Sequence, residues 1–343
     1  MTTREHLVEH GVPLAPLTTL RLGGPAAKVV EAHTDDELVG VVRACDRAGE
    51  PVLVLAGGSN VVIADEGFAG TVVRVLTHGV EREGTAMDVA AGEPWDDVVA
   101  GAVDAGLAGV ECLSGIPGST GATPIQNVGA YGQDVAQTVT SVRVYDRERD
   151  VVEDLPAEAL GFGYRTSALR YQDRRVVLRV RFELTASDTS GGLRYAELTR
   201  ALDADRAPLH DVRDAVLALR RGKGMVIDSD DPDTVSAGSF FTNPILDEAA
   251  FEAIDGEPPR FPEPHGRVKT SAAWLIERSG FHKGDTRGNV GISTKHSLAL
   301  INRGGATTTE LVAFAREIAH DVRERFGVEL HPEPIFVGHD WCD

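Results

Sequence analysis

The sequence contains few of the residues that build disulfide frameworks and metal sites. It has three cysteines, Cys45, Cys112 and Cys342, and no C-x-x-C pair among its 343 residues. An odd number of isolated thiols favours reduced cysteines over disulfides or a zinc site. The eleven histidines show no H-E-x-x-H or comparable ligand spacing. We therefore predict no catalytic metal.

Long hydrophobic runs are missing as well. Apolar runs such as 52–56 and 61–64 are far shorter than the roughly 20 residues that a membrane-spanning helix requires. The first six residues are polar, and no apolar signal-peptide core follows them. We therefore expect a cytoplasmic protein that does not associate with membranes.

Positive charge is scarce. The chain has 34 Lys and Arg but 53 Asp and Glu, so its formal net charge is −19. This charge favours solubility and makes nucleic acid a poor partner. An anionic small substrate would need locally placed Arg or Lys. With 42% hydrophobic residues, the chain can form two or three compact domains, and a monomer is the default expectation.

The order of apolar and turn-forming segments predicts an α+β fold without internal repeats. The predicted strands are 28–33, 51–56, 61–64, 71–76, 86–91, 141–146, 176–184, 298–302 and 333–337. The predicted helices are 34–49, 94–105, 211–221, 247–254, 271–279 and 309–326. The polar segment 228–234 is the best candidate for a domain boundary or a mobile connection.

Two common nucleotide-binding signatures are absent, since neither G-x-G-x-x-G after a strand nor G-x-x-x-x-G-K-[ST] occurs. A different glycine motif, Gly57-Gly58-Ser59-Asn60, follows the predicted strand 51–56. Adjacent glycines let backbone N–H groups approach a phosphate, and Ser and Asn add donors. Alone, this motif is equally typical of a tight turn between two buried strands.

A second glycine-rich segment runs from 106 to 132, with closely spaced glycines at 115, 118, 121, 129 and 132. Loops this long are usually functional or disordered, and the apolar Ile116, Ile125, Val128 and Tyr131 argue against disorder. The segment is typical of a loop that lines a flat cofactor or a pyrophosphate. A surface Ω-loop is the alternative.

Six motifs in order make the chain resemble UDP-N-acetylenolpyruvoylglucosamine reductases. They are TLRLGG at 19–24, GGSN at 57–60, the segment from IPG at 116–118 to QNVGAYG at 126–132, GFGYR at 161–165, AGSFFTNP at 237–244 and LHPE at 330–333. The resemblance implies an FAD-binding fold of the vanillyl-alcohol-oxidase (PCMH) type with a smaller C-terminal α+β substrate-binding domain. We expect an FAD-binding region at 1–200 with lobes at about 1–75 and 76–200, a UDP-sugar-binding domain at 201–330, and a C-terminal strand and tail at 331–343.

The resemblance also implies a reaction, the NADPH-dependent reduction of UDP-N-acetylenolpyruvoylglucosamine to UDP-N-acetylmuramate through FAD in peptidoglycan precursor synthesis. Hydride addition to the enolpyruvyl ether builds enolate charge, and a proton then reaches the neighbouring carbon. Arg165 matches the family's catalytic arginine, whose guanidinium suits a carboxylate that becomes an enolate. Glu333 matches the catalytic glutamate and Ser239 the proton donor. Taken singly, these residues would more often be a surface ion pair, a solvated carboxylate and a packed strand serine.

The resemblance implies further residues around FAD and around the substrate. The expected FAD-binding residues are Arg21, Gly57, Gly58, Ser59, Asn60, Ile116, Pro117, Gly118, Ser119, Gly121, Ala122, Thr123, Gln126, Asn127, Gly129, Ala130, Tyr131 and Arg220. The expected substrate-binding residues are Tyr164, Tyr195, Lys223, Asn243 and Lys269, with Tyr195 on a capping loop found in one branch of the family. Lys295 and His296 depart from the family pattern and stay unassigned. We expect non-covalent FAD, because residues 57–60 and 115–132 contain neither His nor Cys.

Two other functions are compatible with the glycine motifs alone. One is a flavin oxidoreductase of the same fold that acts on another substrate, and the other is a non-catalytic flavin or nucleotide-sugar binder. Neither requires Arg165, Ser239 and Glu333 together. The preference for NADPH over NADH depends on the family resemblance, since no dinucleotide motif is present to select between them.

Overall fold

The computed structural model describes residues 8–341, so Cys342 and the polar residues 1–6 lie outside the described part. The described chain divides into two compact units. Unit 1 contains residues 8–12, Ala26–Gly58 and Phe68–Gly222, and unit 2 contains Pro13–Pro25, Ser59–Gly67 and 223–341. Two short N-terminal segments thus belong with the C-terminal third of the chain.

The strands of the described chain are short and spread along its length. In order they are β1 (Val8–Pro13), β2 (Pro25–Ala32), β3 (Val52–Leu55), β4 (Val61–Ile63), β5 (Phe68–Val75), β6 (Val80–Glu83), β7 (Ala86–Ala90), β8 (Leu107–Ala108), β9 (Gly129–Ala130), β10 (Gln133–Asp134), β11 (Val139–Asp146), β12 (Val151–Pro156), β13 (Arg175–Glu183), β14 (Thr185–Ala186), β15 (Ser236–Ser239), β16 (Ile245–Asp247), β17 (Phe261–Glu263), β18 (Arg267–Lys269), β19 (Thr286–Arg287), β20 (Val290–Ile292), β21 (Ala299–Asn302) and β22 (Ile335–Val337).

The α-helices are α1 (Asp35–Ala48), α2 (Trp95–Asp104), α3 (Ala196–Leu202), α4 (Leu209–Gly222), α5 (Glu248–Glu252), α6 (Ala272–Arg278) and α7 (Thr308–Phe326). Helix α1 begins and ends as predicted, since the Thr34 side chain accepts a hydrogen bond from the Glu37 N–H and Gly49 adopts a left-handed conformation. In residues 8–341, no helix combines the length and apolarity needed to cross a membrane.

Unit 1 contains a four-stranded sheet and a five-stranded sheet, besides the two-stranded pairs β10-β9 and β14-β8. The first has the order β1-β2-β5-β3, with β2 and β3 both parallel to β5. The second has the order β12-β11-β13-β7-β6, and each of its pairs is antiparallel. Its core includes the fully buried Trp95 of α2, whose indole ring lies 5.6 Å from the Phe182 ring on β13. Burial of such large rings supplies much of the driving force for folding.

Unit 2 contains a four-stranded sheet, β15-β21-β20-β19, and a three-stranded sheet, β16-β18-β17. The long helix α7 buries Leu311, Phe314 and Ile318 in the core of this unit. Strand β22 pairs in parallel with β4, so the C-terminal strand lies beside the segment that follows the GGSN motif. This pairing explains why Ser59–Gly67 belongs with the C-terminal third.

The predicted elements are present, with ends that shift by a few residues. Helix α3 and many of the short strands were not predicted, among them β1, β6, β8–β10, β12, β14 and β16–β20. The division between the units differs from the boundaries expected at 200 and 330, because α4 lies in unit 1 and the last strand lies within unit 2. The main connection is at 222/223. Segment 228–234 is instead anchored inside unit 2, where Asp233 and Thr234 are buried.

Candidate functional site

The two glycine motifs meet in unit 1, although about 60 residues separate them along the chain. A methyl group added at Gly57 would lie 2.7 Å from Cα of Gly118. Real side-chain carbons essentially never approach a backbone atom this closely, so only glycine fits. Gly58 and Gly118 both have positive φ angles, of 59° and 113°. Gly57 and Gly58 therefore form one backbone surface with the second motif in unit 1.

The second glycine segment is fastened to strand β7 and helix α2. The Gly121 N–H donates to the Ala91 carbonyl at 2.9 Å, and the Thr120 N–H donates to the Glu93 carbonyl at 2.8 Å. The Trp95 N–H at the start of α2 donates to the Gly118 carbonyl at 3.0 Å. Thr120 is fully buried. These contacts make the segment an integral part of unit 1 rather than a separate surface Ω-loop.

This backbone surface fits the pyrophosphate of FAD. At Gly57, Gly58 and Gly118, the missing Cβ atoms let an anion approach the backbone N–H groups closely. Gly121 is equally confined, because a methyl group there would lie 2.5 Å from the Cβ atom of Ala91. Most of the predicted FAD-binding residues lie in unit 1, namely Gly57, Gly58, those from Ile116 to Tyr131, and Arg220. The other three, Arg21, Ser59 and Asn60, lie in unit 2.

Arg165 is fixed against the end of the second glycine segment. Its Nη2 atom donates to the Gly129 carbonyl at 2.7 Å. Asn127, which is buried, donates through Nδ2 to the Gly163 carbonyl at 3.0 Å and accepts through Oδ1 from the Ala136 N–H. Both Arg165 and Asn127 adopt left-handed backbone conformations, with φ of 53° and 50°. Such conformations persist only where the surroundings hold them.

Arg170 helps to hold Arg165, and sequence reasoning missed it. Its Nη1 atom donates to the Arg165 carbonyl, and its side chain is 8% exposed. A buried guanidinium that donates to the carbonyl of a left-handed residue stabilises that backbone conformation. The only available signal in the sequence was an arginine five residues after Arg165, which is too common to indicate a role.

Tyr131 and Arg220 form a buried polar cluster in unit 1. Each is 9% exposed. Burial lowers the pKa of Arg220 to about 10, Arg165 acts in the same direction, and Tyr131 and Asp96 oppose the shift. Burial raises the pKa of Tyr131 to about 12, and the nearby Arg220 opposes that shift. Both groups keep their ordinary charge at neutral pH, so the cluster carries a buried cation close to Arg165.

The predicted tyrosines of unit 1 are accessible. Tyr164 is 40% exposed and Tyr195 is 45% exposed. The Arg165 guanidinium lies 5.6 Å from the centroid of the Tyr164 ring, a cation–π contact. Tyr195 precedes helix α3 as its N-terminal cap residue. Large exposed aromatic rings next to cations are suited to binding a sugar or an anionic group.

In unit 2, a bulge in strand β15 sets the direction of Ser239. Ser236 pairs with Ile301, but Ser239 pairs with Ala299, so β15 contains one extra residue. Gly238 has a φ angle of 73°, a conformation that glycine adopts without strain. A β-bulge shifts the following side chains to the other face of the sheet. The half-buried Ser239 owes its orientation to this bulge.

Glu333 and Asn60 lie beside the end of this strand. The Glu333 N–H donates to the Phe240 carbonyl at 2.8 Å. Asn60 donates through Nδ2 to the Glu333 carbonyl at 3.3 Å, and its own carbonyl accepts from the Ile335 N–H at 2.9 Å. These hydrogen bonds hold Glu333 and Asn60 next to Phe240, the residue that follows Ser239.

The remaining predicted residues of unit 2 occupy several positions. Thr19 donates through Oγ1 to the Ser236 carbonyl at 2.7 Å, which brings the turn of Arg21 to the start of β15. Lys269 forms an ion pair with Glu263. Asn243 accepts from the Ala272 N–H at 3.0 Å and so helps to cap α6. Lys223 is the first residue of unit 2 after α4 and is half-buried.

Lys295 and His296, which the sequence left unassigned, lie in the turn between β20 and β21. Lys295 forms an ion pair with Asp231 at 2.5 Å. The His296 Nε2 atom lies 3.5 Å from Ser239 Oγ. In the part of the chain that the structure describes, no group of three or more His, Cys, Asp or Glu side chains is arranged to hold a metal ion.

Two family matches cover most of the chain. Residues 26–154 match the family described as FAD binding domain. Residues 231–337 match the family described as UDP-N-acetylenolpyruvoylglucosamine reductase, C-terminal domain. The first match contains both glycine motifs, and the second contains Ser239 and Glu333.

Curated relatives match along nearly the whole length. The chain is 57% identical to UDP-N-acetylenolpyruvoylglucosamine reductase of Thermobifida fusca, with 95% of this chain and 97% of the relative covered. It is 54% identical to the reductase of the same name from Streptomyces avermitilis, with 98% and 97% covered.

A solved structure shows the same fold. The crystal structure of UDP-N-acetylenolpyruvylglucosamine reductase from Thermus caldophilus matches with a TM-score of 0.69 and 27% identity, and 97% of this chain and 99% of that chain are covered. Together with the FAD binding domain match, this confirms the predicted α+β class and the FAD-binding fold of the vanillyl-alcohol-oxidase type.

Proposed function

Since this chain belongs to the UDP-N-acetylenolpyruvoylglucosamine reductase family, we propose that Arg165, Ser239 and Glu333 are its catalytic residues. The protein is an FAD-dependent oxidoreductase that reduces UDP-N-acetylenolpyruvoylglucosamine in peptidoglycan precursor synthesis. When bound, FAD would supply hydride transfer between NADPH and the enolpyruvyl group, and the proposed FAD-binding residues would hold it. The observation that carries the proposal is the hydrogen-bonded link between the strand of Ser239, the Glu333 backbone and Asn60.

Ser239 is the proton donor in this proposal. After hydride addition the neighbouring carbon must gain a proton, and the Ser239 Oγ–H bond breaks as the new C–H bond forms. The serine then regains a proton from water. Support comes from the bulge at Gly238, which fixes the direction of the hydroxyl, and from the partial exposure of Ser239. A positioned proton donor typically contributes about 10²- to 10⁴-fold in rate.

Glu333 and Arg165 act on the charge that develops on the enolpyruvyl carboxylate. The Arg165 guanidinium can bind both oxygens of a carboxylate that becomes an enolate. Its hydrogen bond to the Gly129 carbonyl and the contact of Arg170 with its own carbonyl support a preorganised position. A preorganised donor aimed at developing charge stabilises a transition state without reorganisation. Glu333 assists the enolate when it is protonated or hydrogen-bonded to a donor.

The predicted FAD-binding residues keep that role in the proposal, supported by the contact of Gly57 with Gly118 and by the fastening of the segment to β7 and α2. Arg220 is proposed on the flavin side, in line with its buried charge. FAD is bound non-covalently. NADPH is the proposed reductant.

We assign Tyr164, Tyr195, Lys223, Asn243 and Lys269 to the UDP-sugar. The cations supply the local positive charge that an acidic chain needs for an anionic substrate. The exposed Tyr195 serves as the capping residue of its branch of the family. FAD binding is proposed for the region before α4 and sugar binding for the C-terminal region. A monomer in the cytoplasm, where UDP-sugars and NADPH are available, completes the proposal.

The Ser239→Ala variant tests the proposal. It should bind FAD and be reduced by NADPH at a near-normal rate, and its flavin should then be reoxidised by the enolpyruvyl sugar about 10²- to 10⁴-fold more slowly. Ser239→Cys should recover part of this step, because a thiol of similar reach can donate a proton. Stopped-flow absorbance at the flavin band measures each half-reaction separately.

Ser271→Ala is the matched control, because Ser271 caps α6 through its hydroxyl. Its loss should lower stability by about 1 kcal/mol without changing either half-reaction. The proposed role of Ser239 is wrong if the folded, yellow alanine variant reduces the sugar within a few-fold of the wild type.

A further inference from the structure

Ser239 has a side-chain neighbour in the described structure, His296. Its Nε2 atom lies 3.5 Å from Ser239 Oγ, at the long end of the hydrogen-bond range. Catalytic hydrogen bonds are often long before substrate binds and shorten in the complex. Both side chains are half-buried, so the pair is shielded in part and still accessible from solvent.

The position of His296 follows from strand pairing. Ser239 pairs with Ala299 on β21, and the Phe240 N–H donates to the Leu298 carbonyl at 2.7 Å. The Ala299 N–H in turn donates to the His296 carbonyl at 3.1 Å. The turn between β20 and β21 therefore ends beside Ser239, and His296 lies three residues before Ala299, the partner of Ser239.

The turn itself is held by buried polar groups. The fully buried Ser293 accepts through Oγ from the N–H groups of Lys295 and His296, at 3.0 and 3.3 Å. The buried Asp233 accepts from the N–H and the hydroxyl of Thr294, at 3.1 and 2.5 Å. A backbone with this many anchors restricts where the imidazole ring can go.

Ser239 needs such a neighbour for the reaction proposed above. A serine hydroxyl is a weak acid, and its oxygen becomes negatively charged as the proton leaves for the substrate carbon. An N–H group that donates to this oxygen stabilises the charge. Imidazole carries one N–H when neutral and two when protonated, and its Nε2 atom faces the serine oxygen.

We infer that His296 is a positioning residue for Ser239, which orients the serine hydroxyl and donates a hydrogen bond from Nε2 to the serine oxygen as its proton is transferred. This inference rests on the proposed role of Ser239. The proton that reaches the substrate comes from the serine. The imidazole keeps its own proton and gains no covalent bond.

Two substitutions separate hydrogen bonding from packing. His296→Leu removes the donor and keeps similar bulk, and it should slow reoxidation of the flavin by the enolpyruvyl sugar about 10- to 100-fold. His296→Gln keeps an N–H donor of similar reach and should recover most of that rate. Reduction of the flavin by NADPH should stay within about twofold of the wild type in both variants. His320→Leu, at an exposed position of α7, is the control that should change neither step.

The double variant Ser239→Ala/His296→Leu makes the test specific. If His296 acts through Ser239, adding His296→Leu to Ser239→Ala should cause no further loss. A His296→Leu rate within threefold of the wild type, an equal loss in the NADPH step, or a full additional loss in the double variant would each overturn the inference. If Ser239→Ala itself reduces the sugar normally, the proposed role of Ser239 fails first. A slow Ser239→Ala with a normal His296→Leu overturns this inference alone.

Discussion

Tyr131 and Tyr195 pack edge to face, with ring centroids 5.2 Å apart and planes at 78°. Tyr131 belongs to the second glycine segment and is 9% exposed, whereas Tyr195 precedes α3 and is 45% exposed. A residue proposed to bind FAD thus supports a residue proposed to cap the sugar. Edge-to-face pairs are worth about 0.5–1.5 kcal/mol beyond the area that they bury.

Substitutions of Tyr195 should therefore affect the two half-reactions unequally. Tyr195→Phe keeps the ring contact and should weaken UDP-sugar binding only by loss of the hydroxyl. Tyr195→Ala also loses the contact with Tyr131 and should weaken binding further, by roughly threefold to tenfold. Stopped-flow titration with the sugar measures this, and NADPH reduction of the same samples is the reference. Equal losses in both steps would remove the capping role.

Local signals in the sequence were enough to predict several features. Thr34 and Gly49 mark the ends of α1 because capping depends on neighbouring residues alone. The glycine motifs indicated a backbone surface for an anion, and Gly57 does meet Gly118. The roles of Ser239 and Glu333 come from the family resemblance and stay predictions, and periodicity alone would have assigned both residues to ordinary strand positions.

Features that depend on pairing between distant strands were not predictable in this way. The bulge before Ser239 exists only in register with β21, and the neighbour His296 follows from the same register. The parallel pair of β22 with β4 assigns Ser59–Gly67 to unit 2, although its sequence neighbours on both sides lie in unit 1. Hydrophobic patterns fix which face of a strand is buried, but they do not name its partner.

The contact of Gly57 with Gly118 predicts a selective effect of added methyl groups. Gly57→Ala would place a carbon 2.7 Å from Cα of Gly118, and backbone atoms must move to relieve the overlap. We expect a loss of about 1–3 kcal/mol in unfolding free energy and weaker FAD retention during gel filtration. The absorbance ratio of the flavin band to the protein band gives the retained fraction.

Gly101→Ala is the matched control in the same unit. Gly101 is exposed in α2, and nothing lies within 4 Å of an added methyl group. This change should raise the unfolding free energy by up to about 1 kcal/mol, because alanine favours helix more than glycine does. FAD content should be unchanged. Similar FAD loss in both variants would show that the contact of Gly57 is not the cause.

FAD should leave the protein on acid precipitation. Residues 57–60 and 115–132 contain no His or Cys, and Cys112, three residues before Gly115, is 1% exposed. Burial raises the pKa of the Cys112 thiol to about 12, so little of the reactive thiolate exists at neutral pH. The yellow colour should appear wholly in the supernatant, for the wild type and for Cys112→Ser alike. Colour retained in the wild-type pellet would contradict non-covalent binding.

Asp96 connects three parts of unit 1. Its carboxylate accepts from both terminal nitrogens of Arg213 on α4, at 2.6 and 2.9 Å, and from the Gly115 N–H at 2.5 Å. Asp96 itself lies in the first turn of α2, where the helix dipole favours a negative charge. Through Gly115, this carboxylate also fastens the start of the second glycine motif.

The Asp96 contacts predict a specific pH dependence of stability. Burial raises the pKa of Asp96, but the hydrogen bonds from Arg213 and Gly115 outweigh it and leave the pKa below its ordinary value. A carboxyl group with a lower pKa in the folded state stabilises the fold above its unfolded pKa, and this contribution is lost as pH falls below about 4. Asp96→Asn should therefore lower the urea midpoint clearly at pH 7, and the difference from the wild type should shrink toward pH 3.5.

Asp97→Asn, at an exposed neighbouring position of α2, is the control and should lower the midpoint little at either pH. A difference between the wild type and Asp96→Asn that stays constant from pH 7 to pH 3.5 would show that the charge of Asp96 does not stabilise the fold.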